Sequence, residues 1–288
     1  MRYRTRMNYR HGFHAGNFAD VVKHATLARI VSYLREKPAP FRVIDTHAGA
    51  GLYDLSGPEA ARTSEWREGI GRLLKADLAP KVGALLSPYL DALAALNPGG
   101  RIKLYPGSPL LVRAWLRPRD RLIACELEPR SAAALRKNLA TSTRAKVLAI
   151  DGWTALSAYL PPRERRGLVL VDPPYEAPDE FTRLAEALRE AQRKWPSGIY
   201  LLWYPIKDRS GPDVLAKRLK ALPIGKILRA EVTTAPVPAA DRLIGAGLIV
   251  VNPPWTLERE LAVLLPALAE YLAPDQGGFR LGWLAREI

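Results

Sequence analysis

Seven short apolar runs set the terms for this chain. They read FRVIDTH (41–47), RLIACEL (121–127), AKVLAI (145–150), GLVLVD (167–172), GIYLLWYPI (198–206), GKILRAEVTT (225–234) and GAGLIVVN (245–252). Several are apolar almost throughout, the pattern of strands covered on both faces. Segments of helical periodicity separate them, so an α/β fold with a mostly parallel sheet is expected. With 288 residues, 48% of them hydrophobic, the chain can bury one large core.

Two stretches break the alternation. In RHGFHAGNFADVVKHATLARIVSYLREK (10–37), Asn17 reads as an N-cap with Asp20 three residues later, and Val21, Val22, Ala25, Leu27, Ile30, Val31 and Leu34 form a broad apolar face. A helix is therefore expected before the first strand. The connection from the first strand to the second runs about 70 residues, far more than a crossover helix needs. Residues 55–100 read as a helical insertion, splitting the main domain into 1–54 and 101–288. Residues 108–116 read as the crossover helix, with Ser108 as its cap and Pro109 in its first position.

Composition narrows the classes. Forty-three Lys and Arg against 29 Asp and Glu give a formal charge of +14, which favours a polyanionic partner, nucleic acid first. One cysteine excludes an intrachain disulfide, and with only four histidines no metal centre is expected. No run approaches the roughly 20 apolar residues of a membrane span, and the basic N-terminus lacks the apolar stretch of a secretory signal. The expectation is a cytoplasmic protein without membrane contact.

Chemistry gathers at four successive strand ends. In VIDTHAGAGLYD (43–54), Gly49 and Gly51 let the backbone approach a nucleotide, although Asp54 stands where a dinucleotide fingerprint has its third glycine. Glu126 ends the second strand, where a carboxylate accepts ribose hydroxyls. Asp151-Gly152 ends the third: a short acid for an adenine amino group and a residue that leaves room for the ring. Together they outline a pocket for an adenosine-containing ligand. Asp172-Pro173-Pro174-Tyr175 ends the fourth strand. A carboxylate and a proline carbonyl there can accept both hydrogens of a planar exocyclic amine, while Tyr175 offers a face for an extruded base. His47, in the first loop, is placed to meet the far end of the ligand.

The strings YRHGFHAGNFADVVKH (9–24), DTHAGAG (45–51), CELEP (125–129), YPGSP (105–109), RRGLVLVDPPYE (165–176), GIYLLWYP (198–205) and GLIVVNPPW (247–255) resemble the bacterial 23S rRNA adenine-N6 methyltransferase J family, within the class I methyltransferases that use S-adenosylmethionine. The likeness runs from about Tyr9 to the C-terminal region. It implies a Rossmann-like sheet of order 3-2-1-4-5-7-6 with the last strand inserted antiparallel. It also implies cofactor contacts at Lys23, His24, His47, Ser108, Glu126, Asp151, Gly152 and Asp172, no metal, and Asp172 as the catalytic acceptor. Tyr9 is implied to touch RNA; His11, His14 and Arg10 around it make a basic-aromatic cluster suited to phosphate and base. The expected partner is 23S rRNA, naked or in an assembly intermediate, with the enzyme a monomer. MRYRTR, before Met7, departs from the family pattern, either as a basic arm or as a start-codon choice.

Three other readings stay open on the sequence. A DNA adenine-N6 or cytosine-N4 methyltransferase shares the Asp-Pro-Pro-Tyr string, although residues 55–100 look small for a DNA-reading domain. An RNA-binding ribosome assembly factor would bind without turnover. A dehydrogenase lacks its third glycine. Arg163, Arg165 and Arg166 read as an exposed basic face, and Cys125 as a small buried apolar side chain. The second Pro-Pro-aromatic string, Asn252-Pro253-Pro254-Trp255, is expected on the opposite sheet edge from the pocket, so that Asn252 and Trp255 serve stability.

Overall fold

The computed structural model describes residues 11–236 and 242–286. The seven apolar runs all form strands: β1 (Phe41–Asp45), β4 (Arg121–Cys125), β5 (Ala145–Leu148), β6 (Arg166–Val171), β7 (Ile199–Ile206), β8 (Ile227–Thr233) and β9 (Gly245–Val251). Three more strands were not legible: β2 (Leu52–Asp54), β3 (Leu104–Pro106) and β10 (Gly278–Ala285). The main sheet runs β10-β8-β9-β7-β6-β1-β4-β5. Its pairs are parallel from β5 through β7, and β9 lies antiparallel to both β7 and β8. The order implied by the resemblance is thus present, with a correction: the sheet has eight strands, not seven. β10 joins the outer side of β8 as an antiparallel edge strand. An edge strand pairs on one side only and keeps solvent beside it, so its text mixes arginine and glycine with apolar residues.

β2 and β3 form a separate antiparallel pair that brackets the long connection. Between them lie α2 (Pro58–Thr63), α3 (Ile70–Leu73) and α4 (Pro80–Leu96). These helices bury Ile70, Leu86, Tyr89 and Leu93 in the same apolar cluster as α1 (Phe18–Glu36) and one face of the main sheet. α5 (Ser108–Trp115) and α10 (Leu257–Leu272) complete that layer. α6 (Pro129–Leu139) follows β4 and joins it through Leu135 and Leu139. The other face is covered by α7 (Gly152–Ala158), α8 (Glu180–Lys194) and α9 (Ser210–Lys220), which pack Leu156, Leu188 and Leu215 against Ile44, Val169 and Leu202. Among the described residues no helix is long and apolar enough to cross a membrane.

α1 starts as its sequence requires, with Asn17 Oδ1 accepting from the Asp20 amide at 3.0 Å. α5 does not. Gly107 occupies the cap position and Ser108 is the first helical residue, without a capping bond. Its hydroxyl instead donates to Asp45 Oδ2 at 2.6 Å; a buried carboxylate at the tip of β1 outcompetes the helix end for it.

The two Pro-Pro-aromatic strings lie on opposite edges. Asn252 follows β9 and donates from Nδ2 to the carbonyls of Pro196 and Gly198, just before β7 begins. Its φ of 51° is left-handed, a conformation asparagine tolerates better than most residues. Asn252→Ala is expected to cost about 2 kcal/mol, from two lost hydrogen bonds and backbone strain, while leaving cavity chemistry unchanged. Urea denaturation beside an activity assay checks both halves. Trp255 is corrected: it is 68% exposed, with Arg259 over its ring, so Trp255→Ala should change stability by less than about 1 kcal/mol.

Candidate functional site

The parallel strands all deliver their C-terminal tips to one edge, where a crevice is expected. A cavity of about 470 Å³ opens there. Its floor is the loop after β1. Gly49 (φ 61°) and Gly51 (φ 81°) turn this loop through left-handed backbone, and a Cβ on Gly49 would collide with the Tyr53 hydroxyl. The Gly49 amide donates to Glu126 Oε2 at 2.8 Å, and the Glu128 amide donates to Glu126 Oε1 at 2.7 Å. Glu126 is thereby fixed in the wall, and burial pushes its pKa above the ordinary value.

At the next tip, Asp151 and Gly152 also line the cavity. Asp151 caps α7, with Oδ2 accepting from the Thr154 amide at 3.1 Å. Gly152 is glycine for a reason the sequence did not show: a Cβ would strike the Thr46 carbonyl and the His47 ring. His47 Nδ1 lies 2.7 Å from Thr46 Oγ1, and the ring meets Trp153 edge-on. Burial lowers the His47 pKa to about 4, so it enters the site neutral.

Asp172 and Pro173 form the wall at the tip of β6, and α1 faces them. Lys23 Nζ donates to Asp172 Oδ2 at 2.5 Å and lies 2.8 Å from Asp20 Oδ1. All three side chains are largely buried, at 5%, 15% and 2% exposure for Lys23, Asp172 and Asp20. Burial pulls the Lys23 ammonium towards neutrality, but the two carboxylates outweigh it and hold its pKa well above the usual value. Burial likewise opposes the charge on Asp20, yet Lys23, His11 and His24 hold its pKa well below the usual carboxylate range. Among the described residues, the only hydrogen bond to the Asp172 carboxylate is the one from Lys23 to Oδ2, so Oδ1 is open.

His24 lines the cavity, with Nδ1 2.8 Å from the Tyr105 hydroxyl, which lies 2.9 Å from that of Tyr89. Burial lowers its pKa to about 3. His11 also lines the cavity, with Nε2 3.1 Å from Asp20 Oδ2 and its ring against Tyr53. His14 turns away to Glu65, which raises its pKa. Tyr9 and Arg10 fall outside the described residues.

Tyr175 stands behind the wall rather than in it. Its backbone is left-handed (φ 52°), its ring packs on Phe181 and Trp203, and its hydroxyl donates to the Trp203 carbonyl at 2.9 Å. Cys125 is fully buried beneath the site, and burial pushes its thiol up to about 12, which leaves it chemically inert.

Sequence reasoning missed Asp20, Asp45 and Glu180. Asp45 is fully buried, and burial raises its pKa to about 7 in spite of the Ser108 bond. Each is one acid among 29, and only the folded chain shows which are buried.

The family model RsmJ, described as ribosomal RNA large subunit methyltransferase D, RlmJ, matches residues 38–285. The ribosomal RNA large subunit methyltransferase J of Escherichia coli (strain K12) is 40% identical over 282 residues, covering 98% of this chain and all of its own length. The protein of the same name from Haemophilus influenzae is 38% identical over 283 residues, with the same coverage. A crystal structure of a Legionella pneumophila protein matches with a TM-score of 0.87 and 33% identity, over 94% of this chain and 98% of that one.

Proposed function

The chain belongs to the RlmJ family of ribosomal RNA large subunit methyltransferases, and from this premise we propose that it transfers a methyl group from S-adenosylmethionine to the exocyclic N6 of an adenine in 23S rRNA. The observation that carries the reading is Asp172: a carboxylate at a strand tip in the cavity wall, with one oxygen held by Lys23 and no hydrogen bond to the other among the described residues.

The cavity suits the cofactor. Its volume is within the few hundred to 1,000 Å³ of small-molecule sites, its glycine loop admits close backbone approach, and its acids complement a sulfonium and an ammonium. When bound there, S-adenosylmethionine supplies an electrophilic methyl group. Glu126 would take the ribose hydroxyls, Asp151 the adenine amino group, and His47 with Lys23 and His24 would bound the methionine end. Glu126→Ala should weaken cofactor binding about 10- to 100-fold, the range for hydrogen bonds to a charged group. Titration calorimetry reads this directly; unchanged affinity places the ribose elsewhere.

An aryl amine is a poor nucleophile because its lone pair is delocalised into the ring. Asp172 Oδ1 and the Pro173 carbonyl can accept its two hydrogens and turn the lone pair towards the methyl group. Orientation of this kind is the chief means by which such a site accelerates transfer. A carboxylate is too weak a base to deprotonate the neutral amine first, so the proton leaves during or after transfer. Tyr175, tied to the Trp203 carbonyl, anchors the chain that follows the two prolines.

The test supplies methyl-labelled cofactor with unmodified 23S rRNA or duplex DNA as acceptor. Label in rRNA is the expected result; label in DNA alone would mark a DNA methyltransferase, and label in neither a binding factor without turnover.

A further inference from the structure

Glu180 is the first residue of α8 and lies in the cavity wall with Asp172, Pro173 and Pro174. It is only 4% exposed, and its Oε2 is buried without a hydrogen-bond partner. Burial raises its pKa, while the backbone amides of Ala177 and Glu176 and the charge of Arg183 favour the ionised form. A buried carboxylate oxygen without a protein donor costs free energy, so a donor from water or from a bound ligand is expected to complete it.

The chemistry of the target nucleotide says which donor is missing. Adenine donates only from N6, and both of those hydrogens are matched to Asp172 and Pro173 in the reading above. N1, N3 and N7 are acceptors. Within an RNA chain the 3′ and 5′ oxygens are esterified, which leaves the ribose 2′-hydroxyl as the only remaining donor. That hydroxyl is also the group by which a protein tells RNA from DNA at a given position. We propose that Glu180 accepts the 2′-hydroxyl of the target adenosine and so restricts this site to RNA. The proposal rests on the adenine-N6 reading and adds a specificity determinant to it.

The experiment uses the full chain and two synthetic acceptors: the rRNA segment containing the methylated adenosine, and the same segment with a 2′-deoxy sugar at that nucleotide alone. The wild-type protein should prefer the ribose acceptor in kcat/KM by about 10- to 100-fold, the value of a hydrogen bond to a charged group. Glu180→Met, which removes the acceptor, should bring the ratio close to 1. Glu180→Gln, which keeps a carbonyl, should retain part of it. Equal use of both acceptors by the wild-type protein overturns the proposal without reference to any variant. So does a Glu180→Met ratio equal to wild type, or a loss of cofactor affinity in Glu180→Met that accounts for its whole defect. Absence of N6-methyladenosine from the ribose product defeats the parent reading instead, so the two failures are distinct.

Discussion

Asp172→Asn should lower the rate of methyl transfer on the order of 10²- to 10³-fold, with the loss in kcat rather than in cofactor affinity. The substitution preserves shape, and Lys23 retains Asp20 at 2.8 Å, so the fold survives. What is lost is the anionic acceptor proposed to orient the amine. Losing a single preorganised electrostatic contact to the reacting centre has effects of this size, as does misplacing a reactant by about 1 Å. Glu126, the proposed ribose contact, is untouched, so calorimetric titration with S-adenosylmethionine should change far less than the rate. A variant that methylates rRNA at near wild-type rate removes Asp172 from the chemistry.

Lys23→Met should produce the largest loss of stability among the site variants. Lys23 is the cation between two carboxylates, Asp20 on its own helix α1 and Asp172 at the tip of β6, 149 residues away from it in the chain. Removing one partner of a buried ion pair costs about 3–5 kcal/mol, because the remaining charge is left without compensation. The lower end applies, since Asp20 also accepts from the Gly16 amide and contacts His11. The melting temperature should fall by roughly 5–10 °C. The loss should shrink in the Asp20→Asn/Lys23→Met double variant, where less charge is stranded. Melting curves for the single and double variants decide this; additive losses would mean that Lys23 does not couple to Asp20.

The sequence made the central strands legible for a physical reason. β1, β4, β6, β7 and β9 are covered on both faces, so each is an apolar run that only a buried strand explains. β10 had no such signature, because an edge strand keeps one side in solvent. β2 and β3, at three residues each, are too short to show a period.

The site divides in the same way. Glu126, Asp151 and Asp172 stand immediately after apolar runs, so strand order alone brought them to one edge. Asn252 was separated from Asp172 by the antiparallel insertion of β9, which carries the same four-residue pattern to the far edge. Ser108 was misread because its cap geometry is local, whereas the Asp45 carboxylate that takes its hydroxyl is 63 residues away. Glu180 looked like any acid opening a helix. Its burial in the cavity wall and its unpartnered oxygen exist only in the folded chain.

Methylation of adenine N6 in 23S rRNA is the reaction proposed for this chain. Its most direct test incubates the protein and S-adenosylmethionine with 23S rRNA lacking its modifications, digests the product to nucleosides and weighs them by mass spectrometry. The expected result is N6-methyladenosine at one added methyl per rRNA, formed on the order of 10²- to 10³-fold more slowly with Asp172→Asn. A methyl group on any other atom, or no mass gain under conditions where the cofactor binds, would contradict it.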